Sequence, residues 1–247
     1  MKKMKPGLTV VLMLVFSIAF AQKSKKVSRF DKVIVSPHIE VTFVEGTEES
    51  VTIEKSSEPF EKLNIEVNNR TLRIYLDGAK EITGTDKTLN YGAGQTKPLY
   101  SGTVVTATVT YKKLEEVSLR GEETHLLKSK LDADRFTLRI YGESKVYIDE
   151  VNLGNLVTKM YGESLLEIKA GSIGDQKYTV YGESKINATG IEGSTSKITA
   201  YGEADFRMNV SDEIKITAFG EASLAYKGNP KINKWLHFGE MQISRID

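Results

Sequence analysis

The amino-acid sequence predicts an all-β solenoid with coils of about 20 residues. Three observations carry that prediction. An aromatic or polar residue followed by Gly and Glu recurs seven times: Arg120-Gly121-Glu122, Tyr141-Gly142-Glu143, Tyr161-Gly162-Glu163, Tyr181-Gly182-Glu183, Tyr201-Gly202-Glu203, Phe219-Gly220-Glu221 and Phe238-Gly239-Glu240. The glycines step by 21, 20, 20, 20, 18 and 19 residues, and a fixed period near this value marks stacked coils that bury their apolar faces on one another. Second, the apolar residues around each glycine share one parity. Four positions before it stand Val117, Leu138, Thr158, Tyr178, Ile198, Ile216 and Trp235, and two before it Leu119, Ile140, Met160, Val180, Ala200, Ala218 and His237. Four after it stand His125, Val146, Leu166, Ile186, Phe206, Leu224 and Ile243, and six after it Leu127, Ile148, Ile168, Ala188, Met208, Tyr226 and Arg245. Residues of one parity face one side of a strand, so these columns are the candidate core. Third, no segment after residue 21 shows a helical period.

The elements follow in order. Residues 1–21 read as a secretory signal peptide: Lys2, Lys3 and Lys5 are the basic region, Leu8 to Phe20 the apolar run, and Ala19-Phe20-Ala21 the cleavage site, so the exported chain starts at Gln22. Residues 22–26 read as a short basic linker, and 27–247 as a single β-solenoid domain. Strands are expected at Val33-Ile34-Val35, Ile39 to Phe43, Val51-Thr52-Ile53, Leu63 to Val67 and Leu72 to Leu76, with a tight turn at Asn68-Asn69. Lys80 to Gly102 breaks the pattern with Gly84, Gly92, Gly94 and Pro98 and reads as a long loop or insertion. Strands resume at Val104 to Val109, and 114–247 carries the regular repeat. The last coil departs from the apolar pattern at Trp235, His237 and Arg245, as expected of a coil that ends a stack.

Parity also places the motif. Gly142 and Ser144 fall inward, Tyr141 and Glu143 outward. The residue after each Glu is small in Ser144, Ser164, Ser184, Ala204 and Ala222, so the inner corner is crowded. The sequence allows two corners there: a bent strand that keeps its parity through the glycine, which the parity favours, or a true turn with glycine in the left-handed region.

The chain resembles the auto-transporter adhesin head GIN domain family of secreted bacterial proteins. The residues that carry the likeness are Phe30 to Ser36, Ile39 to Gly46, Ser50 to Glu54, Asn69 to Ile74 and Leu114 to Gly121. The resemblance covers about Val27 to the C-terminus. It implies a right-handed parallel β-helix-like solenoid in the cell envelope, an adhesin-like role, and no catalytic motif. Small Ser-Gly-type repeats are common in that family where this chain has Tyr-Gly-Glu, so the Tyr and Glu columns are features of this protein.

Composition excludes some functions. With the signal removed the formal charge falls from +1 to −2, which argues against a general nucleic-acid or anionic-membrane binder. There is no Cys, hence no thiol or disulfide chemistry. No apolar stretch after the signal is long enough for a membrane-spanning helix. The three histidines, His38, His125 and His237, are scattered and lack ligand spacing.

What remains is the repeated surface. Stacked coils lie about 4.8 Å apart, so the Glu column would place like charges side by side at a cost of roughly 1 kcal/mol per pair in water. Protonation, splaying toward Lys145 and Lys185, or a cation such as Ca²⁺ between Glu143, Glu163, Glu183 and Glu203 would each relieve it. The aromatic column, Tyr141, Tyr161, Tyr181, Tyr201 and Phe219, suits sugar rings, with Glu143, Glu163, Glu183, Glu203 and Glu221 accepting hydroxyl protons. It also suits a ladder that only stabilises stacked strands. The leading expectation is therefore a secreted binding module presenting the Tyr/Glu stripe to carbohydrate or a cell-surface protein. The alternatives are a glycan-active lyase- or hydrolase-like β-helix enzyme, although a column offers no unique carboxylate pair, and a purely structural or assembly solenoid.

Overall fold

The computed structural model describes residues 23–81, 85–91 and 95–247; the expected signal peptide lies outside them. The architecture is a β-solenoid of about six turns. Among the described residues the one helical element is the 3-10 turn Phe60–Lys62, and no helix is long and apolar enough to cross a membrane.

The first part of the chain builds and closes one end. It contains β1 (Lys23–Lys26), β2 (Lys32–Val35), β3 (Ile39–Glu45), β4 (Ser50–Ser56), β5 (Leu63–Asn68), β6 (Thr71–Leu76), β7 (Thr85–Tyr91), β8 (Gln95–Pro98) and β9 (Val105–Tyr111). β6 and β9 run parallel to β2 and β3, making a coil on one side of them. Antiparallel strands then cover that coil: β5 pairs with β6, β4 with β9, and β1 with β4. The turn between β5 and β6 falls on Asn69 and Arg70, both at positive φ, one residue later than the sequence suggested.

Two sequence expectations are corrected here. The basic linker is a strand, because β4 presents an unpaired edge that Lys23 to Lys26 can satisfy, and its lysines keep the new outer edge charged. The Lys80–Gly102 insertion carries its own antiparallel hairpin, β7 with β8, as a separate two-stranded sheet.

From β10 onward the coils stack in simple succession. They are β10 (Glu116–Gly121) with β11 (Thr124–Leu127), β12 (Leu131–Gly142) with β13 (Lys145–Ile148), and β14 (Val151–Tyr161) with β15 (Ser164–Ile168). β16 (Gly171–Tyr181) leads into β17 (Ser184–Lys227), which runs through more than one coil, and β18 (Lys231–Phe238) with β19 (Met241–Arg245) ends the stack. Pairing is parallel and in register, so Ile140, Met160, Val180 and Ala200 form one column and Tyr141, Tyr161, Tyr181 and Tyr201 the next. β2 and β10 join the two parts, as do β3 and β11.

The inward columns are buried as the parity required, from Val117 and Leu119 to Ile216 and Ala218. Tyr178, fully buried, donates its hydroxyl to Gln176 Oε1 at 2.8 Å, and burial pushes its phenol well above the usual range. At the glycine corner parity survives, since Ile140 and Ser144 are both buried. The backbone takes φ between 102° and 125° at the seven motif glycines, and β17 continues through Gly202 and Gly220, so the corner is a bent strand that needs glycine at positive φ. A Cβ on Gly162 would sit 2.4 Å from the carbonyl oxygen of Gly142, so the glycines also permit the coils to approach. Ser144, Ser164 and Ser184 donate to the carbonyls of Gly121, Gly142 and Gly162 at 3.0, 2.9 and 3.2 Å, which ties each corner to the one before.

Candidate binding groove and aromatic ladder

The glycine corner sends its two neighbours to different places. On one side the rings form a continuous stack. Tyr141, Tyr161, Tyr181, Tyr201 and Phe219 follow one another at centroid separations of 4.9–5.0 Å with planes within 3–5°. Phe238 continues the stack at 5.6 Å and 19°. The guanidinium of Arg120 covers the first ring, 5.6 Å from the Tyr141 centroid. Arg120 and Arg73 both pair with Glu81, which fixes that end of the ladder to the start of the insertion. Ring faces are thus turned to one another and to Arg120, and the edges look outward.

On the other side of the corner the carboxylates line a groove of about 570 Å³ that runs along the solenoid. One wall is Glu143, Glu163, Glu183, Glu203, Glu221 and Glu240. The facing wall is the residue two further on: Lys145, Leu165, Lys185, Asp205, Ser223 and Gln242. The floor is the small column, including Ser164, Ser184, Ala204 and Ala222. Small inward residues let the corner sink, and that makes the outer surface concave there. Seven carboxylates face two ammonium groups in this groove, so it is strongly acidic.

All seven motif Glu side chains are exposed. The repeat's ion pairs lie elsewhere, such as Arg139 with Glu116 and Lys169 with Asp149, and among the described residues none involves a motif Glu. Among the described residues no three acidic or His side chains converge closely enough to hold a metal ion. Of the opposite wall, sequence reasoning named only Lys145 and Lys185, as charge partners for the Glu column; Leu165, Asp205, Ser223 and Gln242 were passed over, though the same period would have shown them.

The first coil of the repeat differs from the rest. Glu123 takes the small inner position and is buried, which pushes its carboxyl up despite bonds from the backbone, including that of Glu122. His125 takes the next core position, has no hydrogen-bond partner at either ring nitrogen, and is pushed down to about 3 by burial. His38 at positive φ joins the carbonyl of Gly102 through Nδ1 at 2.8 Å.

Fold and surface together define a parallel β-solenoid with one decorated longitudinal stripe. The chain belongs to the family described as putative auto-transporter adhesin, head GIN domain, whose profile matches residues 29–230. The fold is similar to that of a putative adhesin from Bacteroides fragilis, with 17% identity and a TM-score of 0.73 over 91% of this chain and 96% of that one. A putative lipid binding protein from Parabacteroides distasonis is similar at 19% identity and a TM-score of 0.64, over 92% and 96% of the two chains. A putative adhesin from Parabacteroides merdae follows at 18% identity and 0.58, over 92% and 96%. No curated protein matches the chain.

Proposed function

We propose that this is an exported, adhesin-like binding module whose groove takes an elongated neutral or amine-bearing glycan laid along the solenoid axis. The observation that carries the reading is the groove itself: one wall repeats a carboxylate at every coil, and a pyranose unit is similar in length to one coil step. Carboxylates accept hydroxyl or ammonium protons, and Lys145 and Lys185 opposite add donors. Tyr141, Tyr161, Tyr181 and Tyr201 stand on the other side of the glycine corner and do not line the groove. Sugar rings would stack on this edge-on ladder only at its free end. The acidity disfavours uronate or sulfated chains, because like charges in a shared cleft repel. The adhesin descriptions of the family and of similar structures support a surface-binding role over a catalytic one.

The test is a glycan array probed with the chain from Gln22, with Ca²⁺ and with chelator. Neutral or amino glycans should bind, and Glu163→Gln with Glu183→Gln should weaken that binding about tenfold or more, as expected when charge-assisted bonds are lost. Binding that survives both substitutions, or a preference for acidic glycans, would remove the groove as the site. Loss on chelation would add a cation to it.

A further inference from the structure

The last coil is patterned against continuation of the solenoid. β18 follows β17 with Ile216 opposite Lys234, then slips by one residue so that Thr217 lies opposite Leu236. Trp235 is the extra residue of this bulge. The slip is how the last coil departs from the core pattern at Trp235, as the sequence suggested. Lys234 and His237 instead stand opposite buried Ile216 and Ala218, and Leu236 and Phe238 share the outward side with Thr217 and Phe219. Trp235 lies beside Lys215, whose Nζ is 5.7 Å from the ring centroid. Trp235 is 67% exposed, Phe238 63% and Leu236 44%, the three most exposed large apolar side chains among the described residues.

A second copy stacked end to end would bury Lys234, His237 and Arg245 in the continued core, where uncompensated charge is costly. The cluster lies at the side of the end instead. Lys215 lies beside Trp235, and Lys231 and Lys234 share the strand with the cluster, against Glu213 opposite Lys231. Aromatic and aliphatic anchors set among cations suit the boundary between lipid headgroups and acyl chains. We propose that the last coil docks the solenoid onto an anionic phospholipid surface, with Trp235, Leu236 and Phe238 entering the interface and Lys215, Lys231 and Lys234 meeting headgroup phosphates. The chain's overall charge supplies no such attraction; it comes from the lysines beside the apolar cluster.

Trp235 is the chain's single tryptophan, so its emission reports on this coil alone. With mixed phosphatidylcholine–phosphatidylglycerol vesicles the emission should shift to the blue and the protein should co-sediment. Leu236→Ser with Phe238→Ser should weaken partitioning about tenfold or more, from the lost apolar burial. Lys231→Glu with Lys234→Glu, which leaves the apolar cluster intact, should abolish the preference for anionic vesicles. Unshifted emission, or equal partitioning of the unmodified chain into pure phosphatidylcholine, overturns the proposal. So does a blue shift that grows with protein concentration without lipid, which makes the cluster an interface between copies.

Discussion

The aromatic column and the carboxylate column leave the chain one residue either side of the same glycine, with the same period, but every motif Glu is exposed while Tyr141, Tyr161 and Phe219 are half-buried. One closes into a solid and the other opens into a groove. Neutral rings about 5 Å apart attract, each pair contributing about 0.5–1.5 kcal/mol beyond its buried area. Carboxylates at the coil spacing repel by roughly 1 kcal/mol in water and stay solvated. Identical periodicity therefore produces opposite local energetics. The stack holds the coils together, and the groove leaves its carboxylates exposed to solvent.

That contrast can be broken at its hinge. Gly162→Ala puts a side chain at φ 112° and against the Gly142 carbonyl, which disturbs both columns at once. The expected loss is about 3 kcal/mol or more, read by urea denaturation. The ladder alone is tested by Tyr161→Ala, which interrupts two ring pairs and should cost about 2–3 kcal/mol. Tyr161→Phe should cost under about 0.5 kcal/mol, because the ring does the stacking, as Phe219 does further along. A large loss from removing the hydroxyl would mean the column is held by polar contacts instead.

The third test concerns where the regular repeat begins. Burial holds His125 at about 3, so the folded state refuses a proton that the unfolded chain accepts below about 6.5. Its contribution is present above that value and lost as pH falls toward the folded value, by up to about 1.4 kcal/mol per pH unit. His125→Leu restores the apolar column and should flatten this acid slope, gaining about 1–2 kcal/mol at pH 5 in thermal or urea melts. Glu123, raised by burial, acts in the opposite direction and shows itself in the His125→Leu background.

A smaller effect than the ladder's has the opposite sign. Glu163→Gln with Glu183→Gln should stabilise the fold by about 0.5–1 kcal/mol at low salt, and the gain should shrink as salt rises. A loss of stability would show that the column is held by contacts rather than repelling through water.

Much of the fold was legible in the residues. The glycine period and the parity of Ile140, Met160, Val180 and their neighbours placed the coils, the core and the outward faces, because each coil pairs with a near copy of itself and local pattern suffices for that. The small column from Ser144 to Ala222 announced a crowded corner. The closed end was less legible. Lys23 to Lys26 becomes a strand only because β4 leaves an edge for it, and the hairpin within Lys80–Gly102 repeats nothing else in the chain. These are non-local antiparallel pairings without a period.

By itself the sequence determined which residues share a column, since alternation and period are properties of the chain. Only the tertiary structure decided what each column does. Ring planes turn face to face, the sunken corner makes a groove between Glu183 and Lys185, and a one-residue slip in β18 makes Trp235 a bulge. Each of these depends on side-chain orientation and on the register between coils, which are set by packing across the stack rather than by spacing along it.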